Sequence, residues 1–471
     1  MVLDFAGYFT EHRSRHLEEL KSFLRIPSIS ALPEHKADIS RAAEWVAGQL
    51  QAAGMPQVEM LPAAGRPLVV GQWHVDDALP TVIIYGHYDV QPADPFELWQ
   101  TPPFEPDVRD GRIYARGASD DKGNLFIAIK AVEAWSALAG APPVNVKFMI
   151  EGEEEVGSPS LPELMQTHRG LLAADLAISA DGSMWDNDYP SLTLGSRGIA
   201  AVEIEVRGAL SDLHSGSYGG AVQNPLHALA GLLASMRSAD GRILVDGFYD
   251  QVREAGGPLK EAIAQVPFDE RAFMEKLEVD QLFGEPGYSA IERMWLRPTL
   301  EVNGFGGGFQ GEGLKTVLPR EARAKITCRL VPDQDPEQIA AAIEAHVRKH
   351  CPPGVRARVH RYPGGAQPYT IPIDHPGLDV AGTVLAETYG RPALMTMIGG
   401  TLPVADLFVS HLGIYLVFFS FGGPDNHIHA PNESLPLAAF DRGVRAYAGY
   451  LQALAQAGPM PAVAAGGAGE R

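Results

Sequence analysis

Cysteine is nearly missing from this chain. Cys328 and Cys351 are the only two in 471 residues. That is too few for a disulfide framework or a thiolate zinc site, and it suits a reducing compartment. Positive charge is also scarce. Lys and Arg number 38 against 58 Asp and Glu, a net charge of −20. So acidic a surface repels phosphate backbones and anionic lipid, which argues against nucleic acid and membrane as partners. Long apolar runs are absent too. The longest, around Ile414 to Phe421, is far short of the ~20 residues a spanning helix needs. The start carries Asp4 and Glu11 rather than a basic residue followed by an apolar run. No secretory signal is visible, so the cytoplasm is the expected compartment.

What is present fits a globular protein, with 45% apolar and 20% charged residues. At roughly 150 residues per domain the length suggests two or three units. A chain this long buries a sizeable core without disulfides. Leu17, Leu20 and Leu24 recur at helical spacing until Pro27, and a second helix fits Ile39 to Ala53, closed by Gly54. Short apolar runs follow, each ending in turn residues: Val82 to Tyr85, Val144 to Ile150, Leu176 to Ser179 and Tyr415 to Phe421. Such runs suit strands buried on both faces, and helix candidates such as Leu125 to Leu138 complete an α/β pattern.

The middle of the chain differs. Val202, Ile204 and Val206 alternate with Glu203, Glu205 and Arg207, and Ile326, Cys328 and Leu330 alternate with Lys325, Thr327 and Arg329. Strict alternation predicts strands with one buried and one wet face, as in an antiparallel sheet. Helices to cover it are available at Pro225 to Met236 and Pro336 to Lys349. The expected architecture is a mostly parallel sheet covered by helices, with an inserted α+β domain. Residues 1–197 and 390–471 form the first domain, residues 198–389 the insertion, and the Ala-, Gly- and Pro-rich stretch after Gly458 a loose tail.

The chemistry gathers where the buried runs end. His87 and Asp89 follow the first, Asp120 and Asp121 open a helix, and Glu153, Glu154 and Glu155 follow the second. Asp181 follows the third, and His427 and His429 follow the last. In open α/β sheets, ligands bind outside the carboxyl ends of the strands. Carboxylate and imidazole without thiol suit Zn²⁺, with Mn²⁺ or Co²⁺ as alternatives. Each motif alone also reads as a solvated acidic turn or a hydrogen-bonded loop histidine. Crowded together, however, the carboxylates would repel one another unless a cation balanced them.

The stretches Gly86-His87-Tyr88-Asp89-Val90, Arg116-Gly117-Ala118-Ser119-Asp120-Asp121-Lys122-Gly123 and Glu151-Gly152-Glu153-Glu154-Glu155-Val156-Gly157-Ser158 resemble the M20 metallopeptidases. The dipeptidase/carnosinase-like branch is the nearest in appearance. Asp212 to Gly220, Lys315 to Pro319 and Arg329 to Pro332 resemble that branch as well, and the likeness runs from about residue 10 to 455. It implies two divalent metal ions. His87, Asp120 and Asp181 would hold one. Asp120 would bridge to the second, completed by Glu155 and His429, with a cis peptide joining Asp120 to Asp121. Asp89 would orient His87. Glu154 would be the general base, taking a proton from the attacking water and passing it to the leaving amine. A register shift by one would make Glu153 the base and Glu154 the ligand, but Gly152 and Gly157-Ser158 favour the first alignment. His427 competes with His429, and the following Ala430-Pro431-Asn432-Glu433 favours His429.

The resemblance extends to the inserted domain, expected to be a lid and a homodimer contact. His214 would hydrogen-bond the developing oxyanion, from the neighbouring subunit in dimeric relatives. Arg329 would clamp a substrate carboxylate, and Gly400 and Thr401, with Gly399, would line the pocket. The implied reaction is hydrolysis of a dipeptide or a similar small substrate with a free carboxylate. The alternatives are deacylation of N-acyl amino acids by the same chemistry, and a metal-binding protein without activity. Gly306 to Gly311 satisfies G-x-G-x-x-G, but no helix opens after it, so a dinucleotide site is not expected. Walker A, H-E-x-x-H and G-x-S-x-G patterns are absent.

Overall fold

A computed structural model of the chain describes residues 3–463, so the end of the expected tail lies outside the described residues. The chain divides into two units. The first holds the residues up to Leu194, Ile371–Thr396 and those from Leu407 on, and the second holds Gly195–Thr370 with Met397–Asp406.

The first unit is built on a six-stranded mixed sheet. Its strands are β1 (Gln57–Leu61), β2 (Leu68–Trp73), β3 (Thr81–His87), β4 (Asn145–Glu151), β5 (Leu176–Ser179) and β6 (Leu416–Phe418), in the order β1-β2-β4-β3-β5-β6. The pairs β3–β4, β3–β5 and β5–β6 are parallel, and β1–β2 and β2–β4 are antiparallel. Val82, Ile83 and Ile84 in β3 are wholly buried. Burying a side chain of this kind contributes roughly 1.5–3 kcal/mol. Of the helices α1 (Phe5–Leu24), α2 (Lys36–Ala52), α3 (Lys122–Ala139), α4 (Pro376–Tyr389) and α5 (Leu437–Ala457), α2 and α3 pack on the strands, α1 and α5 pack on α3, and α4 packs on α5. α3 is buried from Lys122 to Trp135 because it packs against β3 and also against α1 and α5. Gly140, in the left-handed region at φ 81°, ends it.

Two features differ from the sequence expectation. The edge strand β1 is largely exposed and carries no apolar run, so periodicity could not reveal it. The run Tyr415 to Phe421 is a strand only over Leu416–Phe418, because its partner β5 ends at Ser179. Phe419 N–H donates to Ser179 O, and the chain then turns to accept Met184 N–H at Gly422 O.

In the second unit, strands Thr299–Gly307, Glu321–Leu330, Gly198–Arg207 and Arg356–Arg361 form an antiparallel sheet in that order. Val202, Ile204, Val206, Ile326, Cys328 and Leu330 point into one core, which helices Pro225–Ser235 and Pro336–His350 cover. The chain leaves the first unit after Leu194, near the expected 198, and re-enters it at Ile371, ahead of the expected 390. The reason is α4, whose Leu378 and Leu385 are buried, and whose Gly377 O accepts the Tyr450 hydroxyl of α5 at 2.8 Å. Among the described residues, no helix is long and apolar enough to cross a membrane.

A charged cluster ties α1 to α3. Glu133 accepts from Tyr8 Oη at 2.8 Å and from Lys130 Nζ at 2.5 Å, and it pairs with Arg15 and His16. Lys130, fully buried, also reaches Glu19 at 2.7 Å and Gln49 at 2.9 Å. Burial alone would raise the Glu133 carboxyl, but His16, Arg15 and Lys130 hold it well below the usual carboxylate range. A carboxyl depressed in this way contributes stability that is complete above its unfolded-state pKa of about 4.3 and is lost as pH falls toward the folded-state value. Glu133→Gln is therefore expected to destabilise the first unit by about 3 kcal/mol at pH 7. Thermal melts of both proteins from pH 7 to pH 3 should show the gap closing in acid.

Candidate metal centre

Three parallel strand ends deliver the side chains. β3 carries His87 at its last position, with Asp89 two residues on. β4 ends at Glu151, ahead of the turn that bears Glu154 and Glu155. β5 is followed by Asp181. Asp120 precedes the first turn of α3, and the peptide between Asp120 and Asp121 is cis. His429, at φ 61°, comes from the loop ahead of α5.

Asp120 sits between two imidazoles. Its Oδ1 lies 3.1 Å from His87 Nε2 and its Oδ2 lies 2.9 Å from His429 Nε2, which is also 3.2 Å from Glu155 Oε2. Two candidate ligand groups result, His87–Asp120–Asp181 and Asp120–Glu155–His429. Within each, the ligand atoms lie within 4.8 Å of one another. Asp120 belongs to both, one oxygen facing each side. His427 is exposed and makes none of these contacts.

The residues fit a pair of divalent cations. All five ligands offer nitrogen or oxygen, as Zn²⁺, Mn²⁺ and Co²⁺ accept. The site is also overloaded with negative charge. Burial, together with the Asp120 and Glu155 charges, pushes the Asp181 carboxyl up to about 7. Burial also pushes Glu154 well above the usual range, with Asp181, Glu155 and Glu151 adding to the rise. Carboxylates this crowded ionise together when a cation compensates them.

Two buried carboxylates outside the ligand groups fix the geometry. Asp89 Oδ1 lies 3.3 Å from His87 Nδ1, a nitrogen that also meets Asp89 O at 3.1 Å. The same carboxylate accepts Glu154 N–H at 3.3 Å and Glu155 N–H at 3.1 Å. It therefore sets both the imidazole and the glutamate turn. Glu433 is the second, and sequence reasoning passed over it as part of a polar turn after His429. Its Oε2 accepts from Arg116 Nη1 and Gly117 N–H, each at 2.8 Å. Its Oε1 accepts Ser119 N–H at 2.9 Å and Asp120 N–H at 3.0 Å. The loop that presents Asp120 is thus wound around one carboxylate. The available signal was an acidic residue directly after Pro431-Asn432, with no nearby cation to solvate it.

The three consecutive glutamates have different surroundings. Glu153 Oε1 accepts Ser160 N–H at 2.5 Å and its Oε2 lies 3.6 Å from Arg66, away from the ligand groups. Glu155 Oε2 accepts from Gln91 Nε2 at 2.8 Å and faces His429. Glu154, half-buried, has no side-chain hydrogen bond among the described residues. The turn needs both its glycines. A Cβ on Gly152 would run into the Tyr88 ring, and Gly157 takes φ 87°.

The remaining candidates lie in the second unit. Arg329 Nη1 donates to Thr401 Oγ1 at 2.6 Å, and Gly400 O, in the same loop, accepts Arg197 N–H at 3.0 Å. His214 stands apart from them, exposed, on the short strand Leu213–His214 that pairs with Val317–Leu318. Its Nδ1 accepts Gly216 N–H at 3.1 Å, which leaves the ring proton on Nε2.

A model of peptidase family M20/M25/M40 matches residues 83–453. The chain is 30% identical to the Cys-Gly metallodipeptidase dug1 of Schizosaccharomyces pombe, over 95% of this chain and 97% of the relative. It is 29% identical to the human Beta-Ala-His dipeptidase, over 95% and 92%. Among solved structures, the M20 family metallo-carboxypeptidase Sso-CP2 from Sulfolobus solfataricus superimposes with a TM-score of 0.81 at 31% identity, covering 94% of this chain and 99% of that one.

The Glu433 contacts generate a prediction. Glu433→Gln replaces one acceptor oxygen with a donor and leaves Arg116 buried without its counter-charge. Calorimetric titration with Zn²⁺ should show affinity reduced by about 10- to 100-fold, with the far-ultraviolet spectrum retained.

Proposed function

From the premise that this chain belongs to peptidase family M20/M25/M40, we infer that it is a metal-dependent hydrolase of dipeptides. The observation that carries this reading furthest is Asp120, shared by two ligand groups with an oxygen turned to each. In our assignment His87, Asp120 and Asp181 hold one divalent ion, and Asp120, Glu155 and His429 hold the other. Zinc is the proposed metal, with manganese or cobalt able to replace it. The donor set and the raised Asp181 carboxyl support this.

When bound, the two ions would supply Lewis acidity at the scissile carbonyl and lower the pKa of the attacking water toward ~7. The chain's own residues do the rest. Glu154 takes the water's proton and delivers it to the leaving amine. Its raised proton affinity suits that exchange, and its carboxylate, without a hydrogen bond among the described residues, is available for it. The tethers on Glu153 support this register over a shift by one. Asp89 keeps the His87 ring and the Glu154–Glu155 turn in place. His214 donates its Nε2–H to the developing oxyanion. Arg329, steadied by Thr401, pairs with the substrate's terminal carboxylate, and Gly400 contributes to the same subsite.

We place the enzyme in the cytoplasm, a reading supported by its two free cysteines. We also propose a homodimer through the second unit. Its sheet ends in the strand Thr299–Gly307, paired on one side only, with Val302 and Phe305 exposed.

The test uses the metal-loaded protein and a panel of dipeptides and N-acyl amino acids. Dipeptides should be turned over, turnover should vanish on exhaustive chelation, and Zn²⁺, Mn²⁺ or Co²⁺ should restore it. Glu154→Ala should lower kcat by about 10²- to 10⁴-fold while two ions still bind. Unchanged turnover in that variant would remove the proposed base, and a panel cleaved only at N-acyl bonds would move the substrate assignment to deacylation.

A further inference from the structure

One group in the second unit has no part in the assignments above. Arg197 lies between strands Ser191–Ser196 and Gly198–Arg207. It grips the segment that leads to Thr401 at three successive carbonyls. Its backbone N–H donates to Ile398 O at 3.3 Å and to Gly400 O at 3.0 Å, and its Nε donates to Gly399 O at 2.8 Å. Its Nη1 donates to Arg297 O at 3.3 Å. Its second terminal nitrogen, Nη2, has no protein acceptor among the described residues.

The same segment receives Arg329 at Thr401 Oγ1, 2.6 Å away. Two guanidiniums therefore meet this segment, Arg197 at Gly399 O and Arg329 at Thr401 Oγ1. Neither has a carboxylate within 4.0 Å among the described residues, whereas Arg297 nearby is paired with Glu285 and Glu254. Burial and the Arg329 charge pull the Arg197 guanidinium down to about 10, against a smaller opposing pull from the Glu301 carboxylate, so the two cations are only partly compensated. Bidentate pairing with a carboxylate is what such a fork offers.

We propose that Arg197 is a positioning residue of the carboxylate subsite. Its side chain holds Gly399 O so that Thr401, two residues on, meets Arg329, and it adds a second positive charge to the place where the substrate's terminal carboxylate is taken. The proposal rests on the reading of Arg329 given above, and it assigns Arg197 no contact with the reacting atoms.

The experiment measures kcat and KM of the metal-loaded enzyme for one dipeptide, with Arg197→Met, Arg197→Lys and Thr401→Val beside the unsubstituted protein. Arg197→Met should raise KM about 10- to 100-fold and change kcat by less than about threefold, because a uniform binding interaction is lost. Arg197→Lys keeps the charge but loses the fork, so its KM should fall between the two. The KM effects of Arg197→Met and Thr401→Val should coincide rather than multiply in the double variant, since both act through one segment. An unchanged KM in Arg197→Met, or a loss confined to kcat, would overturn the proposal. Fully multiplicative effects in the double variant would overturn it as well. Should Arg197→Met fail to fold, the proposal stands on the intermediate KM of Arg197→Lys and falls if that variant matches the unsubstituted enzyme. If the unsubstituted enzyme turns over no dipeptide, the functional reading fails first. Protection of the metal-loaded protein against heat by a free amino acid, lost in Arg197→Met, then still decides the role of Arg197, and equal protection in the two would end it.

Discussion

Negative charge concentrated at one edge of a sheet is the constraint that shapes this protein. Asp120, Glu154, Glu155 and Asp181 converge there, with His87 and His429 placed among them to offset the charge. Water would solvate such a group freely, but here burial and the neighbouring carboxylates raise the proton affinity of Asp181 and Glu154. Asp120 escapes because both its oxygens face an imidazole, while Asp181 and Glu154 do not. An arrangement this unfavourable as bare charge becomes favourable around cations, and from that follow the ligand pairing and the base assigned to Glu154.

Holding the site together is a task for backbone donors rather than for packing alone. Asp89 and Glu433 spend both oxygens on the chain segments that carry the ligands. Asp89 links the end of β3 to the turn after β4, so two neighbouring parallel strands deliver their side chains in fixed register. Glu433 does the same across far greater sequence distance, joining the loop before α5 to the loop before α3. In the second unit the roles are reversed. There a cation, Arg197, gathers carbonyls, and the charge left over is positive.

Much of this was legible in the residues. The buried runs named β3, β4 and β5 because strands covered on both faces carry continuous apolar residues, and the middle sheet declared itself by strict alternation. His87, Asp120, Glu155, Asp181 and His429 stood out because chemistry collects after such runs, the family resemblance supplied their pairing, and the structure brings them into two groups. What periodicity could not show lacked a periodic cause. β1 is an exposed edge with no apolar face. The division at Ile371 depends on where α4 docks, which its own sequence does not state. Glu433 and Arg197 act through backbone atoms of distant residues, and a hydrogen bond to a backbone leaves no mark on the identity of its partner. The register of Glu153 to Glu155 rested on the flanking Gly152 and Gly157-Ser158 for the same reason. The neighbours Ser160, Arg66, Gln91 and His429 distinguish three identical side chains.

The order in which the chain supplies the centre has a consequence for its biosynthesis. His87, Asp120, Glu155 and Asp181 all precede the second unit, whereas His429 and Glu433 follow it. A nascent polypeptide that has emerged only as far as Thr396 holds four of the acidic and imidazole donors. It lacks the ring that faces Asp120 Oδ2 and the carboxylate that folds the Asp120 loop. Under the proposed assignment the second ion would find its full set of donors only once His429 has been made, and a polypeptide cut short before that residue lacks a completed centre.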